Sequence, residues 1–192
     1  MSFKEYLKEK LNKETNDGVF ETVVPSEAQK FYKSIGIDIS KYKIVIMPDK
    51  IWDKLNPGKT CVAQTSKDEG VSYFRKSYYD KNKDNDTMGA FVHEIGHQYA
   101  YNHGLTKEND YPIYNNTTEQ FAFGVQMLFL KQKYKTKDKV INIILSDYPT
   151  ARQGKHKPQF DDYYDYLDTK INWDVSKFGK PEFKKGSNKK WT

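Results

Sequence analysis

The chain has 192 residues, 36% hydrophobic and 30% charged, which suits one soluble globular domain with a modest, aromatic-rich core. Its net charge of +6 comes almost wholly from lysine, and residues 175–192 hold six lysines against one glutamate, so a nearly neutral body precedes a basic tail and a general nucleic-acid surface is excluded. No run of 18 apolar residues and no signal-peptide h-region is present, and a lone Cys61 cannot form an intramolecular disulfide. A cytoplasmic monomer is the expectation, a secreted mature form the alternative.

In chain order, Phe3, Tyr6, Leu7 and Leu11 recur at helical spacing in residues 2–13. Asn16-Asp17-Gly18 is a turn. Ser26 and Gln29 stand at capping-box spacing at the start of a helix that Gly36 stops. Tyr42–Met47 reads as a buried strand, and Asn56-Pro57-Gly58 as a turn. Thr60–Thr65 and Val71–Tyr79 read as strands joined through Asp68-Glu69-Gly70. Cys61, in the apolar run TCVAQT, reads as a small buried hydrophobe. Lys81–Asp86 is a polar loop.

Met88–His103, MGAFVHEIGHQYAYNH, holds three of the four histidines and reads as one amphipathic helix. Asp86 or Thr87 caps its start, and Gly104 stops it. Within it, His93 and His97 are four positions apart, one above the other on the same face. They can grip one metal ion from a single rigid element. Glu94 lies about 100° around the helix from His93, close enough to reach a metal-bound water without itself being a ligand. Phe91, Val92, Ile95 and Tyr99 turn this helix toward the core, where two unpartnered histidines and a glutamate would be costly to bury.

A loop interrupted by Pro112 follows, and Thr117 or Thr118 then caps a long apolar helix, TTEQFAFGVQMLFLKQKYK. Helices around Asp138–Ser146 and Gln159–Thr169 precede the tail. Helices, a small sheet and further helices, in that order, predict an α+β fold. One domain is expected over residues 1–174, with the basic tail over 175–192.

A catalytic zinc takes three protein ligands and keeps one position open. Glu119 is the candidate third ligand, 22 positions after His97 in the first turn of the next helix, which the loop lets fold back antiparallel. Glu108 and Asp110 compete from the loop.

His93-Glu94-x-x-His97 followed by a helical glutamate resembles the gluzincin arrangement of the zincin metallopeptidases. The local text Asn116-Thr-Thr-Glu119-Gln-Phe-Ala-Phe is similar to the glutamate helix of the anthrax lethal factor and Pro-Pro endopeptidase group. The likeness covers about 45 residues. It departs from thermolysin-like enzymes, since no carboxylate closely follows Glu119 to support a zinc histidine. The resemblance implies a zincin-like domain with a small mixed sheet above the active-site helix and a helical C-terminal part. It implies a zinc metalloendopeptidase that cuts a peptide or protein substrate through a zinc-bound water, with one Zn2+ on His93, His97 and Glu119 and Glu94 as general base. An ImmA/IrrE-like regulatory protease, or a zincin scaffold used for binding with little catalysis, are the alternatives.

The family adds a tyrosine or histidine donor for the oxyanion. Tyr111 fits that position best, ahead of Tyr114, Tyr148 and His156. The expected strand at 71–79 would border the cleft, with Arg75 and Lys76 either meeting an acidic substrate residue or guarding a sheet edge. The tail is a solvated end, an electrostatic handle for an anionic partner, or a self-inhibiting segment.

Overall fold

The computed structural model describes residues 18, 20–57, 61–82, 88–105, 117–147 and 157–179. The helix expected over 2–13, the loop with Glu108, Asp110, Tyr111 and Tyr114, Tyr148, His156, and the chain beyond Gly179 lie outside them.

The elements run β1 (Phe20–Val23), α1 (Ser26–Ser34), β2 (Lys43–Met47), α2 (Asp49–Leu55), β3 (Ala63–Ser66) and β4 (Val71–Arg75). They continue with α3 (Lys76–Asn82), α4 (Gly89–Asn102), α5 (Thr117–Lys133), α6 (Lys137–Asp147), α7 (Lys157–Thr169) and a short 3-10 turn at Val175–Lys177. This is an α+β chain with a four-stranded mixed sheet in the order β1-β2-β4-β3. β2 and β4 are parallel, while β1 and β3 run antiparallel to their neighbours.

Side chains alternate across a strand, so the sheet has two apolar faces. Ile44, Ile46 and Phe74 point to the main core with Phe91, Val92 and Ile95 of α4. Met47 and Tyr73 point the other way, onto Trp52 of α2, with Cys61 packed at the rim of that smaller cluster. The helix carrying Trp52 and the edge strand β1 were not expected from sequence.

Two local expectations are corrected. Residues 71–79 are not one strand, because β4 ends at Arg75 and α3 begins at Lys76. The cause is distant in the chain: the Ser77 N–H donates to Asp49 Oδ1 at 2.9 Å, which satisfies an amide in the first turn of α3 from another helix. The capping box at Ser26 does not form either. Ser26 is already helical after Pro25, and Gln29 Nε2 donates to the Val24 carbonyl at 2.5 Å. The stop signals did act. At Gly36 (φ 77°) Ile37 N–H bonds back to Tyr32, and at Gly104 (φ 71°) Leu105 N–H bonds back to Ala100, the six-residue closure of a Schellman cap.

α5 is buried on nearly every side from Thr117 to Leu130, Gln120 and Gln126 included. It lies antiparallel to α4: Tyr101 bonds to Thr118, Tyr99 stacks on Phe121 at 5.0 Å, and His93 meets Phe123 at 4.4 Å, so position rises along one helix as it falls along the other. α7 closes over α5, with Tyr163 donating to the Gln120 carbonyl at 2.6 Å and Phe160 against Phe123. Phe178 and Gly179 then pack on α5, so both belong to the packed body rather than to the lysine run beyond. Among the described residues no helix is long and apolar enough to cross a membrane.

Candidate metal centre

α4 presents His93 and His97 from consecutive turns, both buried, with their Nε2 atoms 3.0 Å apart. α5 brings Glu119 opposite them from its first turn. Its Oε2 is 3.5 Å from each Nε2. Donors around a tetrahedral zinc at ordinary bond lengths are separated by about 3.3 Å, and a His2Glu set is one that catalytic zinc uses. Among the described residues this is the group of His, Cys, Asp and Glu side chains whose donor atoms converge, all within 4.8 Å of one another. The residues present therefore fit a metal ion.

The close approach has a steric basis. Gly96 lies between the two histidines in sequence, where α4 meets Ala122 and Val125 of α5. A side chain there would hold the helices apart. Aromatic contacts orient the imidazoles. His93 lies against Phe123, and His97 stacks on Tyr101 with centroids 5.9 Å apart and planes 20° from parallel. Among the described residues nothing hydrogen-bonds His97 Nδ1, so on that side packing rather than a hydrogen bond orients the ring.

The electrostatics match the geometry. Burial opposes charge on His97, but hydrogen bonding to Glu119 and the fields of Glu119 and Glu94 outweigh it and raise its pKa above the ordinary imidazole value. Burial likewise pushes the Glu119 carboxyl up. Its contacts with the two histidines more than reverse this and hold it well below the usual carboxylate range. Glu119 is thus a carboxylate at any ordinary pH, partly exposed where the histidines are enclosed.

Glu94 is buried and does not join the donor cluster. Its Oε2 accepts from Thr65 Oγ1 of β3 at 2.6 Å. Ser72 of β4 and Gln98 of α4 stand behind that contact, bonded in turn. None of these three was singled out from sequence. Gln98 carried a faint signal as a polar residue on a core-facing helix. Thr65 and Ser72 carried none, because their pairing depends on strand register. Tyr101 stands one turn beyond His97, on the same helix face by spacing alone. Its hydroxyl bonds to Thr118, and its pKa is raised, first by burial and then by Glu119 and Glu94.

Arg75 and Lys76 do not line a free edge. β4 is interior to the sheet, Arg75 pairs with Asp49 at 3.0 Å and Asp53 at 3.2 Å on α2, and Lys76 pairs with Asp80 within α3. The edge beside α4 is β3. His103 lies on Tyr99, away from the donors. Tyr111 lies outside the described residues. Scans against protein-family models and searches of curated proteins and of solved structures return no match for this chain, so the geometry of these side chains carries the functional argument.

Proposed function

We propose that the chain is a zinc-dependent metalloendopeptidase of gluzincin type, with a zincin-like fold and one catalytic zinc on His93, His97 and Glu119. The observation that supports it most is the convergence of two buried histidine nitrogens and a carboxylate oxygen, from two helices, beside the buried carboxylate of Glu94.

When bound, zinc supplies a Lewis acid that brings the pKa of a coordinated water to about 7 and polarises a carbonyl. The protein's own groups do the rest. His93 and His97 would hold the ion through their Nε2 atoms, which converge with the Glu119 carboxylate. Glu119 would contribute one negative charge, which would leave the loaded centre net positive and favour charge developing on the substrate's carbonyl oxygen. Glu94 accepts a proton from the attacking water as the new C–O bond forms, and returns it to the amine nitrogen as the C–N bond breaks. Tyr111 is the proposed hydroxyl donor to the developing oxyanion.

Glu94→Gln is the test. The zinc-loaded variant should keep its metal and lose peptide hydrolysis by at least about a hundredfold, the lower end of what general acid-base groups contribute. Equal turnover of wild type and variant over a peptide library would overturn the reading.

A further inference from the structure

A run of polar side chains connects the sheet to Glu94. Gln98 Nε2 is 3.2 Å from the Lys43 carbonyl and 2.6 Å from Ser72 Oγ. Ser72 Oγ is 2.8 Å from Thr65 Oγ1, and Thr65 Oγ1 is 2.6 Å from Glu94 Oε2. The fold makes this contact in one step. Thr65 and Ser72 are cross-strand partners in the β3–β4 ladder, and Glu94 and Gln98 are one turn apart on the same face of α4.

The direction of donation follows from the chemistry of each group. The Lys43 carbonyl can only accept, so the Gln98 atom facing it is the amide nitrogen, which can only donate. Ser72 Oγ therefore accepts from Gln98 and has one proton to give. Thr65 Oγ1 is nearer to it than the Glu94 main-chain carbonyl, at 2.8 Å against 3.2 Å. Thr65 in turn has one proton, and Glu94 Oε2 is nearer than the same carbonyl, at 2.6 Å against 3.0 Å. In this assignment the Ser72 and Thr65 hydroxyl protons both pass toward the carboxylate, and a short hydroxyl–carboxylate bond is the strong, charge-assisted kind.

The terminal torsion of a glutamate is soft, so a carboxylate without a fixed partner rotates over a broad range. We propose that Thr65 is the positioning residue for Glu94: its hydroxyl holds Oε2, leaving Oε1 to meet the reacting water, and Ser72 and Gln98 keep the Thr65 proton aimed that way. This rests on the reading of Glu94 as the general base.

Thr65→Val keeps the shape and removes the donor, while Thr65→Ser keeps the donor. In the zinc-loaded full chain, Thr65→Val should lower kcat about tenfold to a hundredfold, no more than the lower end of what the general base itself supplies, with KM and zinc content unchanged. Thr65→Ser should restore most of it. Ser72→Ala, which leaves Thr65 in place, should lower kcat several-fold. Unchanged kcat in Thr65→Val or Ser72→Ala, or a Thr65→Ser variant as slow as Thr65→Val, would overturn the proposal.

A second readout needs no reaction. In urea unfolding of the metal-free chain, Thr65→Val and Glu94→Ala should be non-additive by about tenfold in the unfolding constant, as expected of a hydrogen bond to a charged group. Additivity overturns the positioning role. Non-additivity in a chain that hydrolyses no peptide would leave the Thr65–Glu94 bond standing and remove the peptidase reading instead.

Discussion

Gly96 and Ala122 meet backbone to backbone: a Cβ built on Gly96 would lie 3.0 Å from Ala122 Cα and 2.9 Å from Val125 Cγ2. This contact sets how near α5 comes to α4, and so whether Glu119 reaches the histidines. In a solvent-facing helix, Gly→Ala stabilises by roughly 0.5–1 kcal/mol. Here the Ala122 backbone cannot swing aside, and the nearer Val125 methyl sits on a stiff β-branched side chain, so overpacking should dominate. Gly96→Ala is expected to destabilise the fold by about 1–3 kcal/mol and to weaken zinc uptake. Urea unfolding and a zinc titration check both. A more stable variant would show that the helices have room to spare.

Among the described residues, Glu119 supplies the one carboxylate of the donor cluster. Glu119→Ala leaves two histidines on one helix and should reduce zinc content after dialysis to a small fraction of wild type, with hydrolysis lost in step. Glu119→Gln should sit nearer to Ala than to wild type, since a neutral amide oxygen is a weaker ligand for a divalent cation. Metal analysis by atomic emission decides it. Full occupancy in Glu119→Ala would place the third ligand elsewhere.

Much of this site was legible because it lies on two long helices with strong local signals. His93 and His97 share a face by helical spacing alone, and Gly104 ends α4 by the conformation it adopts. Glu119 was reachable because a helix after a loop returns along its neighbour. The sheet was harder to read. β1 is four residues long with an exposed pattern, so no alternation marks it. In KSYYDKN the aromatics favour strand, yet Asp49, 28 positions earlier, bonds the amide of Ser77 and lets a helix begin. Thr65 became a neighbour of Glu94 only through a strand register that no local window contains.

Zinc binding should depend on pH through His97. In the metal-free chain its pKa is raised by Glu119, so His97 keeps its proton to higher pH than an ordinary imidazole. Zinc must displace that proton. Affinity should therefore fall as pH drops through the raised His97 value, starting above the ordinary imidazole value of about 6.5. Protons should be released on binding, as calorimetry in buffers of different ionisation enthalpy would show. In the metal-free fold the sign reverses. The raised pKa contributes stability below about pH 6.5 that is lost as pH rises through the folded value. Glu119 acts the other way. Its lowered pKa contributes stability present above about pH 4.3, lost on acidification through its folded value. A zinc affinity flat from pH 5 to 8 would contradict the His97–Glu119 coupling.

Arg75 is engaged with Asp49 and Asp53 on the far side of the sheet from α4. Its charge is therefore not available to a substrate. Arg75→Met should leave KM for acidic and neutral peptides in the same ratio, and should cost no more than about 1 kcal/mol, because the pairs are partly exposed and screened. A selective loss of acidic substrates in this variant would put Arg75 in the cleft after all.

Phe178 ties the C-terminal segment to the helix that carries Glu119. Its ring lies 2.7 Å from where a Cβ on Gly124 would be, and edge-on to Phe121 with centroids 6.4 Å apart. The next residue, Gly179 (φ 70°), passes 2.8 Å from the Thr117 carbonyl, measured from its own absent Cβ, two positions before Glu119. Removing the ring leaves a void between these two segments that their rigid backbones cannot fill. Phe178→Ala should therefore destabilise the fold by about 3–5 kcal/mol, the usual range for a buried phenylalanine. The start of α5 should loosen first, so zinc affinity should fall more than the far end of the sheet loses protection in hydrogen exchange. Uniform loss of protection, with zinc affinity unchanged in the folded fraction, would show that the C-terminal clamp stabilises the chain as a whole without bearing on the metal centre.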